Sequence, residues 1–124
     1  MAGKIVVSTI NDSSGVLATQ NGMTGIAKAW VNYSGATQTI NNSFNVSSVT
    51  YTSTGQYVIN FTTAMPNANY SANVIQGWAN YNQGAQSQIN TNASTSSGVA
   101  VGLLNYTAAA QVNPVAVHIQ VFSS

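Results

Sequence analysis

Apolar residues alternate with polar or small ones along much of this chain, so the hydrophobic pattern repeats every two residues. The clearest run lies near the C-terminus and places four branched apolar residues on one side: Val115, Val117, Ile119 and Val121. Successive side chains of a β-strand point to opposite faces of a sheet, so this run predicts a strand with one buried face. The Asn113-Pro114 pair just before it is a turn signal, which sets where the strand begins.

A second alternating run predicts one half of a β-hairpin. Three large apolar residues share one of its faces: Tyr57, Ile59 and Phe61. A β-rich segment at residues 49–52 precedes this run, and the connection between the two contains Gly55. Glycine adopts the backbone conformations that tight hairpin connections require, so we expect the two segments to pair as neighbouring strands.

The apolar residues upstream of this hairpin change sides. Three of them share one parity: Ile40, Phe44 and Val46. Val49 and Tyr51 share the other parity. An extra residue in one strand shifts the alternation by one position. We therefore expect a β-bulge or a strand break at Ser47-Ser48, which would return the apolar residues to the inner face.

Further short segments complete the pattern, at residues 4–10, 27–33, 70–78, 85–90 and 99–105. With the runs above they amount to about eight strands separated by turns rich in Gly, Asn and Ser. Glu and Arg, which are good helix formers, are absent, and no segment has the period of an amphipathic helix. The pattern therefore predicts an all-β fold, a single antiparallel β-sandwich or jelly-roll-like domain.

Two segments interrupt the alternation and predict loops. Residues 64–69 contain Pro66, which cannot donate a hydrogen bond within a sheet. Residues 91–98 (TNASTSSG) are the best candidate for an exposed, mobile loop.

The N-terminal part is less regular, with turn signals at residues 11–15 and at Asn21-Gly22. We expect residues 1–26 to form an N-terminal arm or hairpin. The β-sandwich domain then spans residues 27–124.

Charge is almost missing from the chain. Lys4, Lys28 and Asp12 are its only charged side chains at neutral pH, and the net charge is +1. Such a chain lacks the basic footprint of nucleic-acid binding and has little attraction to anionic lipid, so we expect neither nucleic acid nor a membrane as a partner. Near-neutral proteins tend to self-associate. Contacts made by apolar area and neutral hydrogen bonds should hardly respond to salt.

Few side chains could perform chemistry. Asp12 is the sole carboxylate side chain and lies in a predicted turn, where Asp commonly bonds the backbone. His118 is the sole imidazole, on the side opposite Val117, where it faces solvent or a subunit contact. Acid–base catalysis needs a titratable group with an orienting partner, zinc needs several His or Cys ligands, and calcium needs clustered carboxylates. The composition therefore predicts a protein that is not an enzyme and has no metal or cofactor.

One stretch has the residue types of a sugar-binding surface. Aromatic rings stack on sugar faces and amides bond hydroxyl groups, which makes Trp78, Tyr81, Asn82 and Gln83 candidate glycan or partner contacts. The alternative is that Trp78 ends a core strand and Tyr81 begins a loop, since large aromatic residues are usually mostly buried.

Several stretches, in linear order, resemble a β-rich module of tailed-phage virion proteins. They are GVLATQNGM at residues 15–23, GIAKAWVNY at residues 25–33, SFNVSSVT at residues 43–50 and GQYVINFTTAMPNANY at residues 55–70. The module recurs in tail fibres and small structural proteins, often in phages of cyanobacteria and marine bacteria. Residues 71–124 contain no motif of a named family.

The resemblance implies a β-rich, non-enzymatic component of the outer virion surface, commonly a homotrimer. In one interpretation the chain is a capsid decoration (cement) protein, whose partners are its own copies and the major capsid protein or another virion protein. In the other it is a tail-fibre or knob domain that recognises a host surface receptor or glycan. The chain begins with Met and has no long shaft before the module, which leaves both interpretations open: a small free-standing virion protein, or a distal fibre domain or small knob that contacts the host.

Overall fold

The computed structural model describes residues 3, 26–79, 84–105 and 110–123 of the chain. Within these ranges the regular structure consists of β-strands with no helix, which confirms the all-β prediction. The strands in chain order are β1 (Ala29–Ser34), β2 (Thr39–Phe44), β3 (Val46–Ser53), β4 (Gln56–Phe61), β5 (Ser71–Gly77), β6 (Ala85–Ile89), β7 (Gly98–Asn105), β8 (Ala110–Gln111) and β9 (Ala116–Phe122).

The strands form two antiparallel sheets that pack against each other, as predicted for a β-sandwich. The first sheet has the strand order β2-β1-β9-β5. The second sheet has the order β3-β4-β7-β6, and the short β8 also pairs with β7. Both sheets join strands that are distant in sequence, since β1 pairs with β9 and β4 pairs with β7.

The core lies between the sheets and is built from alternate residues of their central strands. Its buried members include Val31, Tyr33, Tyr57, Ile59, Phe61, Val99, Val101, Leu103, Val117, Ile119 and Val121. The faces predicted for β4 and β9 are therefore the buried ones. Val115 is the exception, because it is 51% exposed and β9 begins only at Ala116. The turn around the buried Pro114 extends through Val115, so the prediction that this residue joins the inner face is wrong.

The chain crosses from the first sheet to the second at Asn45, between β2 and β3. Its φ of 53° is in the left-handed region, which Asn tolerates better than most residues. Its Nδ2 donates to the backbone oxygens of Lys28 and Thr63, both at 3.0 Å, and its Oδ1 accepts the Thr63 amide at 2.7 Å. The expected register shift is also present, between Val46 and Ser48 where β3 pairs with β4. The predicted bulge is thus confirmed, and the break between β2 and β3 at Asn45 is a separate feature that the pattern did not predict.

The β3–β4 hairpin confirms the predicted pairing and the role of Gly55. Its φ of 70° is in the left-handed region, where glycine has no steric penalty. A Cβ at this position would lie 2.5 Å from the Leu103 backbone oxygen and 2.9 Å from the Val112 nitrogen. Backbone atoms cannot move aside easily, so both the turn and the close packing require glycine.

Two loops on the same end of the sandwich are joined by hydrogen bonds. Residues 64–69 form the predicted loop before β5, and residues 91–98 connect β6 to β7. The Met65 amide donates to the Ser96 oxygen at 2.8 Å, and the Tyr70 hydroxyl donates to the Gly98 oxygen at 2.8 Å. The second loop is largely exposed, as predicted, but it is tied to the first along Thr95–Gly98.

Some predictions lie outside the described residues. The arm proposed for residues 1–26 is described only at Gly3 and Ile26, and the strand predicted at 4–10 is not described. Both stay predictions. Conversely, the pattern gave no sign of β8, which has only two residues and therefore no alternation to detect.

Candidate functional site

The stretch predicted to contact sugars is only partly described. Trp78 follows directly after β5 and is half-buried. Its indole N–H is buried and has no acceptor among the described residues. Tyr81, Asn82 and Gln83 lie outside the described residues. A glycan contact at these four residues therefore stays a prediction.

The candidate catalytic groups do not form a described constellation. His118 is exposed on β9, and Asp12 lies outside the described residues. Across the described ranges, no three His, Cys, Asp or Glu side chains come together in a way that could hold a metal ion. The search of the same ranges finds no helix with the length and hydropathy needed to cross a membrane.

The one lysine within the described residues is not a surface charge. Lys28 is only 1% exposed. Its amide donates to the Val121 oxygen at 2.7 Å, where the chain enters β1. Lys4 and Asp12 lie outside the described ranges, so the described surface carries no exposed Asp, Glu, Lys or Arg. Recognition by this surface therefore depends on apolar contact and on neutral hydrogen-bonding groups.

The outer face of the first sheet carries large side chains on its central strands. Trp30 of β1 lies opposite Phe44 of β2 on one side and Gln120 of β9 on the other. His118, also on β9, lies opposite Ile75 of β5. Ile75 is 65% exposed and Phe44 is 39% exposed, so apolar side chains protrude from this face.

The outer face of the second sheet contains a groove. Three successive outward positions of the central strand β7 hold small residues: Gly98, Ala100 and Gly102. On one side of them β4 contributes Gln56 and Val58, and on the other β6 contributes Gln88. The small residues leave a channel between the larger ones, with a volume of about 390 Å³.

Neutral polar side chains border this groove. They are Thr52, Gln56, Gln88, Asn90 and Gln111. Gln56 Nε2 donates to Gln111 Oε1 at 3.1 Å, which ties β4 to β8 at one end. Within the described ranges, no protein group is bonded to the side-chain amides of Gln88 and Asn90. Each of these amides offers two N–H donors and a carbonyl acceptor.

The floor of the groove contains apolar residues. Ala100 is 5% exposed, and the half-buried Val58 lies opposite it on β4. A Cβ built on Gly102 would lie 2.9 Å from Gln88 Nε2, so the Gln88 side chain lies over this glycine. The floor thus offers a small apolar surface, and the amides stand around it.

Part-buried hydrogen bonds hold the β8 end of the groove in place. The Tyr57 hydroxyl donates to Asn113 Oδ1 at 2.6 Å, and the same oxygen accepts the Gly55 amide at 2.9 Å. Burial, with smaller contributions from nearby Tyr33 and Tyr51, raises the pKa of Tyr57 to about 12. The hydroxyl therefore stays a neutral donor at physiological pH, and the hairpin remains fixed to the segment before β9.

Comparisons with known proteins identify no relative of this chain: no family model, no curated protein and no solved structure matches it.

Sequence reasoning did not find the groove, although a signal for it exists. Within the strand predicted at residues 99–105, small residues alternate with large apolar ones. Such alternation predicts a strand with only small side chains on its outward face. A groove also requires that β4 and β6 flank β7. The sequence does not reveal this arrangement, because β4 and β7 are not consecutive strands.

Proposed function

We propose that this chain is a non-enzymatic structural protein of the outer surface of a tailed-phage virion. In its most specific form, the proposal is a capsid decoration (cement) protein that binds the major capsid protein as a homotrimer. The observation that carries the proposal is the neutral surface of the sandwich, since the sole described lysine is buried. The resemblance of residues 15–70 to virion modules supplies the location and the trimer.

An uncharged surface suits a protein that must stay attached to a shell under varied conditions. Salt weakens contacts between charges and leaves apolar contacts and neutral hydrogen bonds largely unaffected. A net charge of +1 also leaves little long-range repulsion between copies that crowd on one lattice. Both properties follow from the composition and hold whichever shell the protein binds.

The edges of the sheets support an assembling role. Edge strands of soluble proteins are commonly protected by charged side chains, Lys above all, because their free backbone groups can pair with another chain. The strands at the edges of the two sheets, as far as the described residues define them, are β2, β3, β5 and β6, and they contain no charged residue. Strand addition to a neighbouring copy or to the shell is therefore open to them.

We assign the protein–protein contact to the outer face of the first sheet. Phe44 protrudes there beside half-buried Trp30, and Ile75 protrudes from the edge strand β5 on the other side of β9. Exposed apolar groups rimmed by polar ones are typical of protein interfaces. Asn73 and Gln120 on the same face supply neutral hydrogen-bonding groups.

A tail-fibre or knob domain that recognises a host receptor or glycan is the second candidate. The groove on the second sheet favours it, because a decoration protein needs no concave site on a face away from the shell. The two candidates share the fold, the neutral surface and the virion location. They differ in copy number and in what the free protein binds.

The composition argues against an enzyme in either case. Hydrolysis of a glycosidic bond normally uses two carboxyl side chains, and the chain contains one, Asp12. We expect no release of reducing sugar when the protein is incubated with host polysaccharide.

The test is a count of copies in purified virions, by quantitative mass spectrometry against the major capsid protein. We expect the chain near the abundance of the capsid protein. A count comparable with that of a fibre protein, together with inhibition of adsorption by the free protein, would support the second candidate instead. Absence from virions would overturn both.

A further inference from the structure

We infer that the groove on the outer face of the second sheet binds an uncharged oligosaccharide. This inference rests on the groove alone and does not require that the chain be a virion protein. The site is assigned to β4, β6 and β7, on the sheet opposite Trp78.

The chemistry of the border indicates the class of ligand. Gln88 and Asn90 present amides that no described residue bonds, and Thr52 adds a hydroxyl, so donors and acceptors stand side by side. Sugar hydroxyl groups donate and accept in the same way. None of the described lining residues is charged, so a phosphate, a carboxylate or an ammonium group would lose hydration without gaining a counter-charge from them.

The floor suits the apolar side of a sugar ring. Ala100 and Val58 lie between the flanking amides and offer C–H surface without a polar group to desolvate. A ring laid on them would keep its equatorial hydroxyls at the level of Gln88 and Gln56. Binding would combine a modest apolar contact with several neutral hydrogen bonds.

The dimensions also fit a short saccharide better than a protein. The groove volume, about 390 Å³, lies near the lower end of small-molecule sites. A protein segment that added a strand would need a free sheet edge, whereas β7 is paired on both sides, with β4 and β6. A ligand therefore reaches the floor of the groove from the solvent side of the sheet, by lying across the strands.

The affinity should be low. No aromatic ring forms the outward floor between Val58 and Ala100, so the stacking that dominates tight sugar binding is missing there. We expect a Kd on the order of 1 mM for one short oligosaccharide. Several linked copies would bind a polysaccharide much more tightly through avidity.

The experiment is an NMR titration of the full-length ¹⁵N-labelled protein with maltohexaose, cellohexaose and xylohexaose in turn. We expect saturable shifts of the Gln88 and Asn90 side-chain amides and of the Gly102 backbone amide with at least one of them. Trigalacturonic acid, which carries carboxylates, should cause no saturable shift in these signals.

Variants separate the groove from the rest of the surface. Gln88→Ala should weaken binding about fivefold to tenfold, the loss expected for one or two neutral hydrogen bonds. Gly102→Val should abolish it, because the added side chain fills the floor and displaces the flexible Gln88 end. Gln120→Ala, a matched change of an exposed glutamine on the first sheet, should leave the Kd within about twofold.

Each contrary result has a clear meaning. If none of the neutral saccharides gives a saturable shift, the inference is wrong. Shifts confined to the first sheet or to the Trp78 indole would place the sugar elsewhere, and preferential binding of trigalacturonic acid would contradict the neutral chemistry. Circular dichroism confirms that each variant is folded, and the virion count decides the proposed function separately.

Discussion

The two outer faces of the sandwich follow the same alternation and have different shapes. On the first sheet the outward residues of the central strands are large, such as Trp30 and Gln120. On the second sheet the central strand β7 presents Ala100 and Gly102, so the flanking side chains stand above a groove. The period of the pattern decides which residues face outward, and the size of those residues on one central strand decides the shape of the surface.

The shapes suit different contacts although neither face carries a described charge. The first face is broad, with Ile75 protruding, and can lie against another protein. The second is concave and bordered by amides, and can hold a small polar ligand. The following changes test whether the two faces are distinct surfaces with distinct roles, in order of decreasing effect.

The largest effect is expected where the chain passes between the sheets. Asn45→Ala removes the hydrogen bonds to Lys28 and Thr63. It also places alanine at φ 53°, a left-handed conformation that alanine tolerates less well than asparagine. We expect the free energy of unfolding to fall by about 2–3 kcal/mol, because one part-buried bond, two exposed bonds and a favourable left-handed residue are lost together. Urea denaturation measures this.

The control for this change is Asn42→Ala on β2. The Asn42 side chain accepts one exposed bond, from the Ser43 amide at 2.9 Å. Its replacement should change the stability by less than about 0.5 kcal/mol. Equal effects of the two substitutions would mean that the hydrogen bonds of Asn45 do not stabilise the crossing between the sheets.

The next largest loss of stability is expected when a glycine of the second sheet, Gly55, is replaced, and a glycine of the first sheet, Gly77, serves as the comparison. Gly55→Ala should destabilise the protein by about 2 kcal/mol, since the added Cβ meets backbone atoms at a left-handed position. Gly77→Ala, at the end of β5, should cost less than about 1 kcal/mol, because the new Cβ would approach the Ala116 Cβ at 3.1 Å and would stay 3.7 Å from the nearest backbone atom, the Ala116 oxygen. Thermal unfolding compares the pair, and a larger loss at Gly77 would contradict the structure of the hairpin.

A smaller effect depends on pH. Burial raises the pKa of Tyr57 to about 12 from its ordinary value of 10.0, so the folded state favours the neutral phenol more than the unfolded state does. This contribution is complete below pH 10 and is lost as the pH rises towards 12. Tyr33 and Tyr70, whose pKa values burial also raises, act in the same direction.

Tyr57→Phe separates the contribution of this tyrosine. At neutral pH the variant should lose about 1 kcal/mol of stability, because the bond to Asn113 is removed. Between pH 10 and 12 its stability should decline less steeply than that of the wild type. Parallel declines in urea titrations across this range would show that Tyr57 does not titrate with unfolding.

The smallest effect on stability is expected for a change on the outer face of the first sheet. The same change tests most clearly whether the two faces have different roles. Ile75→Asn changes a side chain that is 65% exposed, so the stability should change by less than about 0.5 kcal/mol. If the first face makes the protein contact, this variant should rebind poorly to shells depleted of the chain, whereas Gln88→Ala should rebind normally. The reverse result would exchange the roles of the two faces.

Much of the fold could be predicted from alternation and turn residues. The runs around Ile59 and Ile119 identified buried faces correctly, and Gly55 identified the hairpin. The crossing at Asn45 was missed because the chain is rich in Asn, so one more carries no signal of a left-handed turn. Val115 was misassigned because its side chain continues the parity of β9, although the turn holds it outside the strand.

The site could be predicted far less well. Gln56 and Gln111 are 55 residues apart in the sequence and bond across the end of the groove. Local patterns cannot report such pairs, and they do not give the strand order β4-β7-β6. Trp78 was predicted as a sugar contact because of its aromatic ring. The groove instead results from the small outward residues of β7, which a search for aromatic residues does not find.

The most direct test of the central claim, that this protein acts through uncharged contacts, is its retention on virions as salt is raised. Virions are dialysed from about 0.1 M to about 1 M NaCl, and the bound fraction of the chain is measured after sedimentation. We expect the bound fraction to stay constant over this range. Progressive release of the chain with rising salt, while the shell remains intact, would contradict the claim.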